Sequence, residues 1–379
     1  MEKKRDPQGA NDYPESASAY ELTNKIGSGA FATVYAAKVL EGSQKGSFVA
    51  IKILDLDELE TSWDVIEKET NLMRLLDHPN VIQSYCSFID EVELWLVMPL
   101  MNGGSCAAIM RSRFKEGFGD EALIATILRE ILQGLQYLHD DNRIHRDVKA
   151  GNVLLSRDGE VRLADYGVAG CLMDAGQKKG ATRTFTGTPA WMAPEVMEQT
   201  AGHDYKADIW SLGITSLELC YGRPPYANHA PMKILMLTLQ SEPPSTDIYG
   251  DQAVKTSKVF KGFVSSCLKK DVSKRPSAKE LLKHKFLKKA RGAEYIRSVL
   301  FASDKDSRIS KFGPESTPDK KSAQQASSAP KPSRQPISVE AFDFGDDDNS
   351  VPEPTNGVAS SRGSRESGKH GRFTVEIEE

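Results

Sequence analysis

His145-Arg-Asp-Val-Lys-Ala-Gly-Asn152 decides the reading of this chain. In one short loop it places a carboxylate at Asp147, an ammonium at Lys149 and a carboxamide at Asn152, five residues beyond the aspartate. Such a set can orient a hydroxyl and take its proton on Asp147, neutralise a transferring anionic group with Lys149, and hold a divalent cation through the amide oxygen of Asn152. The joint spacing leaves little room for chance. Eighteen residues after Asp147 comes Asp165-Tyr166-Gly167, whose carboxylate suits a second cation contact and whose glycine lets the chain turn.

Upstream lies Ile26-Gly-Ser-Gly-Ala-Phe-Ala-Thr-Val34, where Gly27 and Gly29 let backbone N–H groups approach phosphate oxygens without a Cβ in the way. Alone, this is equally a plain hairpin turn, because Ala32 stands where a third glycine would be. Val49-Ala50-Ile51-Lys52 follows on a predicted strand and supplies an ammonium for the same phosphates. The next helix offers Glu69 to hold that ammonium, with Glu67 as a competitor and an exposed helix carboxylate as the plain alternative. Downstream, Ala193-Pro194-Glu195 closes the segment that begins at Asp165.

Apolar spacing supplies the frame. Glu21 to Lys25, Thr33 to Lys38 and Ser47 to Leu54 read as strands, as do Val81 to Phe88 and Leu94 to Met98. Between them Val65, Ile66, Thr70, Met73 and Leu76 fall on one helical face, which ends at His78-Pro79. Helical spacing then dominates in Asp120 to Leu138, Lys206 to Cys220, Ala230 to Leu239, Ser257 to Leu268 and Ala278 to His284. This predicts an α+β fold of two lobes, a small antiparallel sheet with one main helix and a larger helical lobe. The expected domain runs over 19–290, with the small lobe at 19–98, a hinge at 99–102 and the large lobe at 103–290. Residues 1–18 and the Ser/Pro/Asp-rich stretch 291–379 are expected to be mostly disordered. No internal repeat of fixed period is found.

The whole chain has 379 residues, 49 Lys+Arg against 53 Asp+Glu, and a net charge of -4, which argues against general nucleic-acid binding. The five cysteines form no C-x-x-C pair, as suits a reducing compartment. Met1-Glu-Lys-Lys-Arg-Asp-Pro has no apolar core, and the apolar run from Leu94 to Met101 is too short to span a bilayer. The expectation is a cytoplasmic protein that could also enter the nucleus, with no membrane insertion.

Taken in order from residue 27 to Arg275, these motifs resemble the signature set of the eukaryotic protein kinases. Leu94-Trp-Leu-Val-Met98, Ala125-Thr-Ile-Leu-Arg-Glu130, Gly187-Thr-Pro-Ala-Trp-Met-Ala-Pro-Glu-Val-Met-Glu198, Lys206-Ala-Asp-Ile-Trp-Ser211 and Met236-Leu-Thr-Leu-Gln240 narrow it. They are similar to the Frayed-like branch of the sterile-20 kinases, which includes SPAK and oxidative-stress-responsive kinase. The resemblance implies transfer of the γ-phosphoryl of ATP, as its Mg²⁺ complex, to serine or threonine hydroxyls of protein substrates. It implies Asp147, Lys149, Lys52 and Glu69 as the catalytic set, and Asn152 and Asp165 as the Mg²⁺ ligands. Around the nucleotide it places Ile26, Gly27, Ser28, Gly29, Val34, Ala50 and Lys52, Met98 as gatekeeper, Leu100 and Met101 at the hinge, and Leu154 as the floor. Asp208 would brace the catalytic loop, and Glu195 would pair with Arg275. Lys149, two residues past Asp147, resembles the serine/threonine pattern and not that of tyrosine kinases.

The same resemblance makes Thr184 the activating phosphothreonine, modified by an upstream kinase, and Thr188 the threonine bonded to the catalytic loop. Arg146 supplies a physical reason, since a phosphate adds nearly two negative charges that a guanidinium can clamp; Thr186 reads as an unmodified hydroxyl. Tyr166 departs from the family's usual phenylalanine. In the tail, Arg372-Phe373-Thr374-Val375 resembles the docking peptide read by the C-terminal domain of the Frayed-like kinases. Too few residues follow it to contain that domain, so the expected reader is a partner protein, and a chance match is the alternative. Phe342-Asp-Phe344 with Gly345-Asp-Asp-Asp348 is similar to tails that bind a helical-repeat scaffold, although the usual Trp is missing and a solvated acidic tail reads as well. The basic run Lys283 to Arg291 reads as a solvated helix face. Two rivals remain: a silent scaffold of the same fold, against which the intact catalytic set argues, and a small-molecule kinase, disfavoured by Ala193-Pro194-Glu195.

Overall fold

In Phe48–Asp55, β-branched and apolar residues alternate between two faces, and both faces find partners. The computed structural model describes residues 12–29, 32–57, 70, 73–165, 189–198, 204–250 and 254–302. Five strands, β1 (Tyr20–Ser28), β2 (Ala32–Val39), β3 (Phe48–Asp55), β4 (Cys86–Asp90) and β5 (Glu93–Pro99), form an antiparallel sheet in the order β1-β2-β3-β5-β4. On one face Val49 and Ile51 pack with Ala37, Val39, Cys86, Trp95 and Val97. On the other, Leu54 packs with Leu94, Leu96 and Met73. Lys52 has the parity of Leu54, so it points to this second face. Thr70, Met73 and Arg74 have helical backbone, but the helix ends sooner than expected: Leu75 is in a turn, and Leu76, though buried, is not helical; Val65, Ile66 and Glu69 lie outside the described residues. The strand expected from Val81 starts later: Val81 makes only one bridge, to Leu163, and the ladder begins at Cys86.

The large lobe starts with β6 (Gly104–Ser105), which pairs with β7 (Val153–Leu155), itself paired with β8 (Val161–Leu163). Its helices are α1 (Cys106–Arg113), α2 (Glu121–Asp140), the short α3 (Pro194–Met197), α4 (Lys206–Tyr221), α5 (Pro231–Gln240), α6 (Lys258–Cys267), the short α7 (Ala278–Leu281) and α8 (Ala293–Leu300). Asp120 caps α2 by accepting from the N–H groups of Ala122 at 2.8 Å and Leu123 at 3.3 Å. Helix α4 is buried along its length, largely apolar except for the face that carries Asp208, Ser211, Thr215 and Glu218, so it forms the axis of this lobe. It stops at Gly222, where φ is 75° and a Cβ would meet the Lys115 carbonyl oxygen at 2.2 Å, so only glycine fits.

Ordered structure extends past both ends of the expected domain. Ahead of residue 19, Tyr13 stacks on Tyr85 with ring centroids 4.3 Å apart. Beyond residue 290, α8 buries Ile296 and Leu300 in the main core, and the Tyr295 hydroxyl donates to Asp120 at 2.6 Å. Cys86, Cys106, Cys220 and Cys267 are free thiols in these cores; Cys171 lies outside the described residues. Among the described residues no helix is long and apolar enough to cross a membrane.

Candidate active site

The His145–Asn152 loop is held from below by one carboxylate. Asp208, in the first turn of α4 and fully buried, accepts from the backbone N–H of His145 (2.8 Å, Oδ2) and of Arg146 (2.8 Å, Oδ1). The ring Nε2 of His139 adds a third bond at 2.8 Å. This bracing lets Arg146 keep a left-handed φ of 70°, a strained value for a residue with a side chain. Farther along α4, Thr215 donates to the carbonyl of Val148 at 3.1 Å. Glu218 Oε2 accepts from the Ala150 N–H at 2.9 Å and from the Trp191 indole at 2.9 Å. One helix thus ties the loop to the stretch ending in Ala193-Pro194-Glu195. The sequence reading does not single out Glu218; the available signal is a second carboxylate, ten residues after Asp208, in a helix whose other residues near it are apolar or small. Burial pushes its pKa up to about 7, against the pull of these hydrogen bonds and of Lys149.

Above this support Asp147 Oδ2 receives Lys149 Nζ at 2.8 Å and Asn152 Nδ2 at 2.8 Å, and Asn152 Nδ2 also donates to the Asp147 carbonyl at 2.8 Å. With its NH₂ turned to Asp147, Asn152 keeps its amide oxygen for another contact. Asp165 follows β8 with φ 59°, and its Oδ1 forms an ion pair with Lys52 Nζ from β3. Desolvation acts to raise the Asp165 pKa, only weakly because the side chain stays partly exposed, and Lys52 outweighs it and holds the carboxyl below its ordinary range. The structure therefore brings together Asp147, Lys149 and Asn152, and separately Lys52 with Asp165. Asn152 and Asp165 give hard oxygen donors of the kind Mg²⁺ accepts when phosphate oxygens complete its shell, so the donor set fits that ion. Among the described residues no cluster of three His, Cys, Asp or Glu side chains could hold a metal alone.

The residues read as nucleotide-binding line the neighbouring hairpin and hinge. Gly27 pairs with Val34 and Ser28 with Thr33, and the Gly29 N–H closes the turn on the Ala32 carbonyl at 2.8 Å. Ile26 is exposed at the mouth of this hairpin. Ala50 faces Met98 across the β3–β5 ladder, and Leu154 on β7 is half-buried. After Pro99 and Leu100 the chain turns at Met101, whose carbonyl accepts from Gly104 N at 3.1 Å. Glu195 accepts both arms of Arg275, at 2.6 and 3.1 Å, as the resemblance implied; Arg275 is fully buried over the Trp210 ring. Glu69, Glu67, Tyr166, Thr184, Thr186, Thr188 and both tail motifs lie outside the described residues.

A five-stranded sheet over a helical lobe, with a carboxylate, ammonium and amide loop at their junction, is the architecture of a protein kinase, and the protein kinase domain family matches residues 20–287. The chain belongs to that family. It is 46% identical over 305 residues to germinal center kinase 3 of Caenorhabditis elegans, covering 77% of this chain and 51% of that protein. It is 46% identical over 297 residues to serine/threonine-protein kinase fray2 of Dictyostelium discoideum, covering 78% of this chain but 28% of the relative. With serine/threonine-protein kinase ppk11 of Schizosaccharomyces pombe it shares 41% identity over 299 residues, covering 79% of this chain and 91% of the relative. Within the protein kinases it is a sterile-20-type serine/threonine kinase, the group these germinal centre and fray relatives represent. The chain spans about half the length of the first of these relatives and under a third of the second.

Proposed function

We propose that the protein transfers the γ-phosphoryl of Mg-ATP to serine or threonine hydroxyls of other proteins. The observation that carries this reading is Asp147, with Oδ2 fixed by Lys149 and Asn152 on a loop braced by Asp208. Its other oxygen can then face a substrate hydroxyl. The hydroxyl oxygen attacks the γ-phosphorus, its proton passes to Asp147, the bond from phosphorus to the bridging oxygen breaks, and ADP leaves. Lys149 offsets charge on the transferring group, and Lys52, held in turn by Glu69, steadies the α/β-phosphates. Bound Mg²⁺, held by Asn152 and Asp165 with the phosphates, supplies charge neutralisation along the triphosphate. Ile26, Gly27, Ser28, Gly29, Val34, Ala50, Met98, Leu100, Met101 and Leu154 enclose the nucleotide. This catalysis consists chiefly of positioning and charge stabilisation.

Phosphorylation of Thr184 by an upstream kinase, clamped by Arg146, is the proposed switch, with Thr188 bonded to the catalytic loop. The Frayed-like motifs support a place in stress or osmotic signalling in the cytoplasm, with access to the nucleus. Arg372-Phe373-Thr374-Val375 would recruit a docking-domain partner and Phe342 to Asp348 a helical-repeat scaffold. The test is γ-phosphate transfer from Mg-ATP by wild type, Asp147→Ala and Thr184→Ala, with phosphosite mapping. Transfer by wild type, its loss in Asp147→Ala and its impairment in Thr184→Ala are expected. A wild type phosphorylated at Thr184 that transfers no more than Asp147→Ala would refute the reading.

A further inference from the structure

Residues 12–19 precede the part of the chain that the kinase family matches, yet they are tied to the small lobe at several points. Tyr13 stacks on Tyr85, the rings 4.3 Å apart and within 4° of parallel. The Pro14 carbonyl accepts from the Tyr20 hydroxyl at 2.6 Å and from the Cys86 thiol at 3.6 Å. The Asp12 carbonyl accepts from Ser43 at 3.2 Å, and Ala17–Ala19 forms a 3-10 turn that buries Ala19. From this fixed segment Glu15 reaches Arg74, with Oε1 3.8 Å from Nη1.

Arg74 stands in helical backbone five residues after Glu69. Immediately beyond it, the chain is anchored to the large lobe. The Asp77 N–H donates to the Tyr137 hydroxyl at 3.0 Å, His78 stacks on Tyr137, and Asn80 Nδ2 donates to Glu130 at 2.9 Å and to the Val161 carbonyl at 3.0 Å. The Ile82 N–H donates to the Leu163 carbonyl at 2.8 Å. The end of the small-lobe helix is thus held by the large lobe on one side and by residues 12–19 on the other.

We propose that residues 12–19 are a positioning strap for catalysis, holding the last turn of the small-lobe helix through Glu15 and Arg74 and so biasing that helix toward the position in which Glu69 would pair with Lys52. This rests on the reading of Glu69 as the partner of Lys52. A partly exposed ion pair biases an equilibrium only modestly, by about two- to fivefold. That is enough to change activity where two helix positions are comparably populated. The Tyr13 stack and the Pro14 bonds already immobilise the backbone that carries Glu15, so little further ordering is required.

The experiment measures kcat, KM for ATP and thermal unfolding for wild type, Tyr13→Ala, Tyr13→Phe, Glu15→Arg, Arg74→Glu, the double exchange Glu15→Arg/Arg74→Glu, and Glu69→Gln, all assayed well below the lowest unfolding temperature. Glu15→Arg, Arg74→Glu and Tyr13→Ala should each lower kcat about two- to fivefold. The double exchange should restore it, and Tyr13→Phe, which keeps the ring stack and loses only the hydroxyl contact with Tyr85, should lower kcat less than Tyr13→Ala. Lower unfolding temperatures with unchanged kcat in the strap variants, while Glu69→Gln loses activity, overturn the strap proposal alone. Unchanged kcat in Glu69→Gln overturns the Lys52–Glu69 reading, and the proposed route with it.

Discussion

Replacing Glu218 by Gln should flatten the pH dependence of stability and stabilise the protein above neutrality. The carboxyl is buried in the last turn of α4, and its pKa rises from 4.5 to about 7 because burial penalises the charged form. Unfolded, the group ionises near its ordinary value; folded, it keeps its proton until near neutrality. Folding therefore carries no penalty from this group below about pH 4.5, an increasing one between about 4.5 and 7, and the full one above that. At 1.36 kcal/mol per pKa unit the full penalty is roughly 3 kcal/mol. With an unfolding entropy of about 0.6 kcal/mol/K for a folded region of roughly 290 residues, this corresponds to about 5 °C. Gln is neutral throughout, and its carbonyl oxygen can accept from both Ala150 and Trp191 as Oε2 does. Thermal unfolding of wild type and Glu218→Gln at pH 5 and pH 8 tests this. Because part of the penalty is already present at pH 5, the gap between them should open in favour of Gln by about 4 °C from the lower pH to the higher. A badly placed NH₂ would cost about 1 kcal/mol at both pH values and shift the offset without changing the slope. Curves that stay parallel across the two pH values would refute the reasoning. Transfer activity should survive in Gln, since both bonds to the catalytic loop remain.

Asp208→Asn keeps the size of the side chain but sets an NH₂ against a donor where the two backbone N–H groups and His139 now converge. It should cost about 3 kcal/mol of stability and lower kcat by at least about tenfold, because the loop carrying Asp147 loses its brace. Unfolding and steady-state kinetics would show it, and a wild-type kcat would count against the bracing role. Arg275→Met should destabilise by about 3–5 kcal/mol, because it strands Glu195. Glu195→Leu/Arg275→Met should recover most of that loss in a double-mutant cycle. Equal losses in the single and double variants would mean that Arg275 acts through its carbonyl contacts instead.

The parts of the site that could be read from sequence are those whose chemistry demands a local spacing. Asp147, Lys149 and Asn152 meet within one loop, so their order along the chain already encodes their contact. Lys52 and Asp165 are distant in sequence, but each sits in its own short motif, and the sheet then brings them together. The brace from Asp208 and the Glu195–Arg275 pair came only from family resemblance, and both are present. Glu218 escaped because nothing near it in sequence marks a partner: its hydrogen bonds go to Ala150 and Trp191, on other segments. The ordered segments flanking the expected domain escaped for a related reason. In α8 Tyr295, Ile296, Val299 and Leu300 do recur at helical spacing before Phe301, but over one stretch of eight residues between a basic run and a polar tail, and the burial of Ile296 and Leu300 depends on α2 and the main core. Ahead of β1, Tyr13 looks like an isolated aromatic among turn formers until Tyr85 arrives beside it from a distant loop.

The buried cysteines give each lobe its own chemical clock. Alkylating reagents attack the thiolate, and burial pushes the Cys86 thiol up to about 11 and that of Cys220 up to about 12, with Cys106 and Cys267 raised as well. While the fold is closed, none of the four should react appreciably, so each labelling event records an opening of the structure around that sulfur. Cys86 sits in the core of the sheet, and the other three in the core of the helical lobe. Site-resolved rates of alkylation by iodoacetamide would therefore time the opening of the two lobes independently, in one sample and without any engineered probe.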